Sequence, residues 1–224
     1  MQSFEQILEY ANSRHGEEVM LGQIQSAQPL SAAKLSAIPD DRWLATATKC
    51  IFQAGFNWKV IENKWEGFEQ AFEGFDLGRW ILSNDDDIAM LASDKRIVRN
   101  PQKINTVPEN ARFFGEVSKQ HGGFGKWIAQ SPARERNLLL EELNKRGSRM
   151  GAMTGQYFLR FMNADSYILS RDVTAALVRA GVIDKQPTSK KAMVAVQEAF
   201  NAWMDESGYG LTQLSRILAR SIDG

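Results

Sequence analysis

Apolar side chains recur every three to four residues along nearly the whole chain, and this spacing constrains the fold more than any other feature. In the first 15 residues, for example, Phe4, Ile7 and Ala11 would share one face of a helix. Alternating β-branched residues bounded by turn signals, which are typical of strands, are scarce. The sequence therefore predicts an all-α fold.

Cap residues, glycines and prolines divide this pattern into helices. Ser3, Asn57 and Ser83 are predicted N-caps, and the stretch through Gly16, Gly22 and Pro29 is predicted to be a loop. The predicted helices cover residues 3–14, 31–37, 39–55, 57–74, 101–120, 124–130, 133–146, 151–163, 172–181, 189–207 and 211–221, with one more after Ser83. Pro108 is expected to kink the helix that begins at Pro101.

The length and charge of the chain limit its organisation and its partners. A chain of 224 residues with 43% apolar composition can bury a sizeable core. No repeat or long linker divides it, so a single domain over residues 1–224, with two closely joined lobes as a possible arrangement, is expected. Lys and Arg total 27 against 27 Asp and Glu, so any nucleic-acid partner would have to meet a basic face and not a basic protein.

Cysteine and histidine are too few for a disulfide framework or a zinc site. Cys50 is the single cysteine, and only His15 and His121 are available beside it. No metal and no cofactor is therefore expected. The N-terminus lacks the basic and apolar regions of a signal peptide, so we expect a cytoplasmic protein that does not enter a membrane.

Three short motifs follow one another between Phe52 and Phe114. They are Gln53-Ala54-Gly55 with Trp58, Arg99-Asn100 with Lys103-Ile104, and Asn110-Ala111-Arg112. In this order they resemble the core of 3-methyladenine DNA glycosylase I, of the helix-hairpin-helix superfamily of base-excision repair glycosylases. The resemblance implies the helix-hairpin-helix glycosylase fold, in which two helical lobes surround a central cleft.

The resemblance also implies an activity and a base pocket. The activity is hydrolysis of the N-glycosidic bond of a damaged, alkylated base in duplex DNA, after the nucleotide has been flipped out of the stack. Trp58 would stack on the base, and Gln53, Ala54 and Gly55 would enter the gap that it leaves. Two alternatives remain open: Trp58 as a core aromatic residue, and residues 53–55 as a plain helix-ending turn.

A second stretch, from Lys145 to Ile183, resembles the hairpin region of the superfamily. Asp172 matches the position of the catalytic aspartate, which would stabilise positive charge on the sugar and orient or deprotonate water. A helix N-cap is the alternative role for Asp172, and Ser170 is the competing cap. Met153 stands where strand-cutting members carry a lysine nucleophile, so a monofunctional enzyme without lyase activity is implied.

The hairpin is expected to bind the DNA backbone. Its amides would donate to phosphate oxygens from Gly151, Ala152, Met153 and Thr154. Arg146 and Arg149 would add positive charge, and so would Lys103, for which an ordinary solvated lysine is the alternative. Arg149 occupies the position where the hairpin usually has its first glycine.

Cys50 marks a departure from the family. It occupies the position of the pocket glutamate that reads the purine edge, and a thiol is a weak donor that cannot accept as a carboxylate does. A non-catalytic DNA lesion-binding or structure-binding protein of the same fold is therefore the alternative function, and a plain helical interaction protein is a third. In the first two cases the partner is duplex DNA containing a damaged base, and we expect a monomer.

Overall fold

The computed structural model describes residues 1–222, except for the side chain of Ala152, and its secondary structure there is entirely helical. The prediction of an all-α fold is confirmed. None of the helices in the described part of the chain has the length and apolarity needed to cross a membrane. The α-helices are α1 (Phe4–His15), α2 (Glu17–Ser26), α3 (Ala32–Ser36), α4 (Asp40–Gln53), α5 (Trp58–Asn63), α6 (Trp65–Ala71), α7 (Leu77–Ile81), α8 (Asp85–Ser93), α9 (Pro101–Ile104), α10 (Thr106–His121), α11 (Phe124–Gln130), α12 (Arg136–Arg146), α13 (Ala152–Phe161), α14 (Arg171–Arg179), α15 (Lys190–Ser207) and α16 (Leu211–Arg220).

The chain forms two compact units. The terminal unit consists of Met1–Leu30, Ser131–Leu139 and Asn163–Gly224, and the central unit consists of Ser31–Gln130 and Leu140–Met162. Each unit is therefore built from segments that are distant in sequence.

Aromatic rings fill the core of the central unit. Phe114 of α10 stacks on Phe124 of α11, with ring centroids 3.8 Å apart. Trp43 of α4 contacts Phe124 and also Phe158 of α13. All four side chains are fully buried, so this cluster joins α4, α10, α11 and α13 by the hydrophobic effect.

The terminal unit has its own core, built mainly on α14, α15 and α16. Tyr167 stacks on Phe200 of α15 with centroids 4.9 Å apart, and Phe200 meets Trp203 edge to face. The indole N–H of Trp203 donates to the Gln2 carbonyl oxygen at 3.1 Å. This contact fastens the N-terminus of the chain to α15.

The region around Pro108 differs from the prediction of one kinked helix. The structure has two helices, α9 and α10, separated at Asn105. Pro108 has no N–H to donate to the Ile104 carbonyl, and its ring crowds that oxygen. The proline therefore breaks the helix one turn ahead of itself.

Three other boundaries also correct the sequence-based assignment. The predicted loop through Gly22 is largely helix α2, because burial of Met20 and Ile24 offsets the cost of a glycine inside a helix, about 1 kcal/mol. The predicted helix over 57–74 is divided at Lys64 into α5 and α6. The N-cap of α8 is Asn84 and not Ser83, since the Asn84 side chain accepts from the amides of Asp86 and Asp87.

Removing the central ring of the aromatic cluster should destabilise the protein. We expect Phe124→Ala to lower the free energy of unfolding by about 3–5 kcal/mol, because it leaves a cavity where four rings meet. Urea unfolding followed by circular dichroism measures this change. Leu82→Ala is the control, since Leu82 is 83% exposed and should lose almost nothing. A loss below about 1 kcal/mol for Phe124→Ala would contradict the assignment of this cluster as the core.

Candidate nucleic-acid interface

The segment Gln53-Ala54-Gly55 forms a sharp turn between α4 and α5, which we call the QAG turn. Helix α4 ends at Gln53, and the Asn57 side chain caps α5 by accepting from the Lys59 amide at 3.0 Å. Gly55 has φ = +67°, in the left-handed region that glycine enters without steric cost. Ala54 and Gly55 are both exposed, so backbone is presented at the surface of the central unit.

Lys103 holds the QAG turn from behind. Its Nζ donates to the carbonyl oxygen of Phe52 at 3.1 Å and to that of Ala54 at 2.8 Å. Carbonyls at a helix C-terminus lack partners within the helix and carry its negative dipole end, so a cation stabilises them. Lys103 is thus not an ordinary solvated lysine, and its predicted phosphate contact would come in addition to this role.

Asn110 holds the hairpin (residues 147–154) in a similar way. Its Oδ1 accepts from the Ser148 amide at 2.8 Å, and its Nδ2 donates to the Ser148 carbonyl oxygen at 3.1 Å. Asn110 is buried, so both bonds are protected from water. The only signal in the sequence for this role was the place of Asn110 in the Asn110-Ala111-Arg112 motif.

The hairpin keeps a backbone conformation suited to glycine. Arg149 has φ = +56°, although this is the position where the superfamily usually has a glycine. The left-handed region costs a residue with a Cβ about 1–2 kcal/mol. The Arg149 Nη2 donates to Gln102 Oε1 at 2.9 Å, which partly offsets that cost. A Cβ at Gly155 would lie 2.6 Å from the Met150 carbonyl oxygen, so glycine is what lets α13 approach the hairpin backbone.

Lys103 beside the QAG turn and Arg149 of the hairpin bring two positive charges together in the central unit. Burial and, to a smaller extent, the charge of Arg149 lower the pKa of Lys103, so the two cations lie near each other. The Thr154 amide donates to the Gly151 carbonyl oxygen, which leaves the amides of Gly151, Ala152 and Met153 at the N-terminal end of α13 as the donors for an anion. Two positive charges beside the N-terminus of α13 favour the binding of a phosphate there.

Arg146 is engaged within the protein. Its guanidinium lies over the Phe113 ring, 4.6 Å from the centroid, and Nη2 forms a 3.4 Å ion pair with Glu116. The ion pair lies at the surface, because the Glu116 side chain is 68% exposed, so it adds little stability. A phosphate contact of Arg146 stays a prediction.

Trp58 lies at the surface and not in the core. It is the first residue of α5 and is 40% exposed, so the alternative of a core aromatic residue is wrong. Its ring packs edge to face against Tyr157 and Phe161 of α13, with centroids 5.3 and 5.8 Å away. We call these three residues the ring cluster.

Two residues predicted to meet the DNA or the base are buried. Gln53 is 2% exposed, and its Oε1 has no hydrogen-bond partner within the described residues. The predicted contact of the Gln53 side chain with DNA is therefore not available in this conformation, and the turn offers Ala54 and Gly55 instead. Cys50 is also buried, and burial raises the pKa of its thiol to about 12, so the thiol stays neutral.

Phe56 is a surface residue that the sequence analysis overlooked. It directly follows Gly55 and is 45% exposed. An apolar side chain at the tip of a turn can insert between base steps. The signal in the sequence was the large apolar residue placed immediately after the glycine.

Asp172 belongs to the terminal unit, in the first turn of α14. The Ser170 side chain caps this helix by accepting from the Val173 amide at 3.3 Å. The alternative N-cap role for Asp172 is therefore wrong. Its carboxylate is exposed and, among the described residues, has neither a hydrogen bond nor an ion pair, so it is available to a ligand.

The described residues contain no candidate metal site. No three His, Cys, Asp or Glu side chains lie together there in a way that would hold a metal ion.

Comparisons with known proteins agree with this geometry. A family model described as methyladenine glycosylase matches residues 44–157, which include the QAG turn, Lys103, Asn110 and the hairpin. The solved 8-oxoguanine DNA glycosylase of Thermotoga maritima is 17% identical, with a TM-score of 0.57 over 96% of this chain and 94% of that one. The 8-oxoguanine DNA glycosylase of Methanocaldococcus jannaschii is 16% identical, with a TM-score of 0.53 over 95% and 90%.

A further solved structure from Methanocaldococcus jannaschii is an 8-oxoguanine glycosylase/lyase in complex with DNA that contains 8-oxoguanine. It is 12% identical, with a TM-score of 0.51 over 95% of this chain and 93% of that one. At these identities the likeness shows the fold. All three structures confirm the predicted helix-hairpin-helix glycosylase fold.

Removing the side chain that holds the hairpin should weaken both stability and DNA binding. We expect Asn110→Ala to lower the free energy of unfolding by about 1–3 kcal/mol, because the Ser148 amide and carbonyl lose their partner. Urea unfolding and fluorescence anisotropy with duplex DNA measure the two effects. Asn63→Ala, at an exposed position on α5, is the matched control. An unchanged DNA affinity for Asn110→Ala would show that the hairpin does not depend on this clamp.

Two substitutions at Arg149 should separate its backbone role from its charge. Arg149→Gly is expected to be about 1 kcal/mol more stable than Arg149→Ala, because only glycine is unstrained at this φ. Both variants lose one cation, so the slope of log affinity for duplex DNA against log salt should fall by about 0.9 in each. Thermal unfolding and anisotropy titrations at several salt concentrations test this. Equal stability of the two variants would argue against strain, and an unchanged slope would argue against a phosphate contact.

Proposed function

The chain belongs to the methyladenine glycosylase family and is a DNA glycosylase of base excision repair, and we propose that it removes an alkylated, 3-methyladenine-like purine from duplex DNA without cutting the strand. The observation that carries this proposal is the exposed indole of Trp58 beside the QAG turn. A target base inside the duplex is out of reach, so the nucleotide must be flipped out of the stack. An exposed ring next to a rigid, exposed turn suits that task.

Trp58 supplies the stacking surface for the flipped base. Alkylation at a ring nitrogen makes a purine cationic, and a cation over an indole face gains about 0.5–2 kcal/mol from the ring quadrupole. The QAG turn and the exposed Phe56 would occupy the gap left in the duplex. The rigidity that Lys103 gives to the turn supports this role, because a wedge that yields would not hold the gap open.

The hairpin supplies the grip on the DNA backbone. Its amides at Gly151, Ala152 and Met153 would donate to phosphate oxygens at the positive end of α13. Arg149 and Lys103 would add charge beside them, with Arg146 joining if it leaves Glu116. These contacts position the DNA and carry no base specificity of their own.

Asp172 is the proposed catalytic carboxylate. Breaking the C1′–N bond leaves the electron pair on the departing base, which is already cationic and so leaves as a neutral molecule without needing a proton. The sugar becomes oxocarbenium-like, and the Asp172 carboxylate stabilises that charge. Water then adds to C1′ and transfers a proton to Asp172, which completes the hydrolysis. The exposure of Asp172 and the capping of α14 by Ser170 support this role.

The product should be an intact abasic site. A lyase step needs an amine that forms a Schiff base with the sugar, and the hairpin position that carries that lysine in other members is Met153. The Lys103 amine, for its part, is bound to two carbonyl oxygens of the QAG turn. A monofunctional enzyme is therefore proposed.

Base release from alkylated duplex DNA tests the proposal. We expect the wild-type protein to release free 3-methyladenine under single-turnover conditions and to leave the strand uncut on a denaturing gel. Asp172→Asn should slow release by about 10²–10⁴-fold while binding an abasic-site duplex normally, because it keeps the shape and loses the charge. Asp184→Asn, an exposed aspartate of the same unit, is the control.

Three outcomes would overturn parts of this proposal. Release that survives Asp172→Asn would remove Asp172 as the catalyst. Strand cleavage that follows base release would exclude a monofunctional enzyme. Release of 8-oxoguanine in place of an alkylated purine would assign the chain the substrate named for its structural neighbours.

A further inference from the structure

Cys50 stands at the position where the resemblance implies a glutamate that reads the base. A carboxylate there would accept hydrogen bonds from the edge of the base, whereas the Cys50 thiol is buried and neutral. A neutral thiol is a poor donor and a poor acceptor. If a base stacks on Trp58, any hydrogen bond to its edge must therefore come from a polar group other than Cys50.

Tyr157 is the polar member of the ring cluster. Its ring centroid lies 5.3 Å from that of Trp58 at an interplanar angle of 82°, and 5.8 Å from that of Phe161, one helical turn further along α13. The three rings therefore pack against one another with Trp58 and Phe161 both about half exposed. Tyr157 is half-buried among them.

The Tyr157 hydroxyl is not used within the protein. No described residue exchanges a hydrogen bond with it, and it is not among the buried unpaired polar atoms, so it is open to water and to a ligand. The hydroxyl of Tyr167, which is fully buried in the core of the terminal unit, instead donates to Gln197 Oε1. The free hydroxyl beside an exposed indole is a polar group without an assigned task.

We propose that Tyr157 is the residue that hydrogen-bonds the base, its hydroxyl contacting the edge of a cationic N-alkylated purine that stacks on Trp58. This inference rests on the proposed function and deepens it. A phenol both donates and accepts one hydrogen bond, so it can pair with an amino group or with a ring nitrogen or carbonyl. The aromatic faces of the cluster then select positive charge, and the hydroxyl adds affinity without rejecting either the adenine or the guanine edge.

These separate roles of the aromatic faces and the Tyr157 hydroxyl predict which damaged bases are released. A carboxylate only accepts, so it pairs with amino or ring N–H groups alone, whereas a hydroxyl can also donate to a ring nitrogen or a carbonyl oxygen and so accommodates both edges. We therefore expect 3-methyladenine and 7-methylguanine to be released at rates that differ by less than about tenfold, since one good hydrogen bond is worth no more than that. Neutral 8-oxoguanine should be released far more slowly.

Binding of isolated bases tests the inference independently of catalysis. The probes are the 3,9-dimethyladeninium cation and neutral 9-methyladenine, titrated into the full-length protein by isothermal calorimetry. We expect Tyr157→Phe to weaken binding of both probes by about three- to tenfold, because it removes one hydrogen bond and keeps the ring. Trp58→Ala should abolish the preference for the cation. Tyr10→Phe, which removes an exposed hydroxyl from α1, is the matched control and should bind as the wild type does.

The same variants in the base-release assay separate this inference from the proposed function. Tyr157→Phe should slow release of both alkylated purines by about three- to tenfold and leave the melting temperature unchanged. If the wild-type protein releases base and Tyr157→Phe matches it in both assays, the role of Tyr157 is overturned and the proposed function stands. If no base is released but the cation binds in a Tyr157-dependent way, the proposed function fails and the assignment of Tyr157 holds. Absence of binding to both probes overturns the role of Tyr157.

Discussion

The hydrogen bonds that Lys103 and Asn110 make to loop backbone are the interactions on which the rest of the site depends. Each side chain satisfies peptide groups that no helix can satisfy: Lys103 at the QAG turn and Asn110 at Ser148 of the hairpin. Both residues come from the short stretch around the break between α9 and α10, so one segment braces two exposed loops. A loop that must press against DNA has to be rigid, and buried or charge-assisted hydrogen bonds to its backbone provide that rigidity.

The neutrality of the whole chain conceals a local concentration of charge. Equal numbers of acidic and basic residues are compatible with DNA binding because the backbone contact is made at a few positions. Lys103 and Arg149 lie close enough that the positive charge of Arg149 lowers the pKa of Lys103. A bound phosphate would offset this repulsion. Arg149 also adopts a left-handed backbone conformation. The hairpin therefore retains its shape where the superfamily would use glycine and gains a cation there.

The proposed base pocket, with rings and a hydroxyl in place of a carboxylate, would suit a substrate that carries its own positive charge. An N-alkylated purine is already a good leaving group, so the enzyme needs to hold it and stabilise the sugar more than it needs to protonate the base. The neutral Cys50 thiol, the exposed Trp58 and the free hydroxyl of Tyr157 are consistent with that demand. In the proposed mechanism, affinity for the base comes from aromatic faces, and the Asp172 carboxylate stabilises the charge on the sugar.

Periodicity and caps in the sequence were enough to determine the all-α class and most helices, and the resemblance of three motifs indicated the family, because these signals are local. Ser3, Asn57 and Ser170 cap helices as their side chains allow, and the three motifs lie within one continuous stretch. Only the tertiary structure decided that Gly22 lies in a helix, that Gln53 is buried and Trp58 exposed, and that Tyr157 meets Trp58 from a distant part of the chain. Burial and contact depend on how helices pack across the core, and no local pattern contains that information.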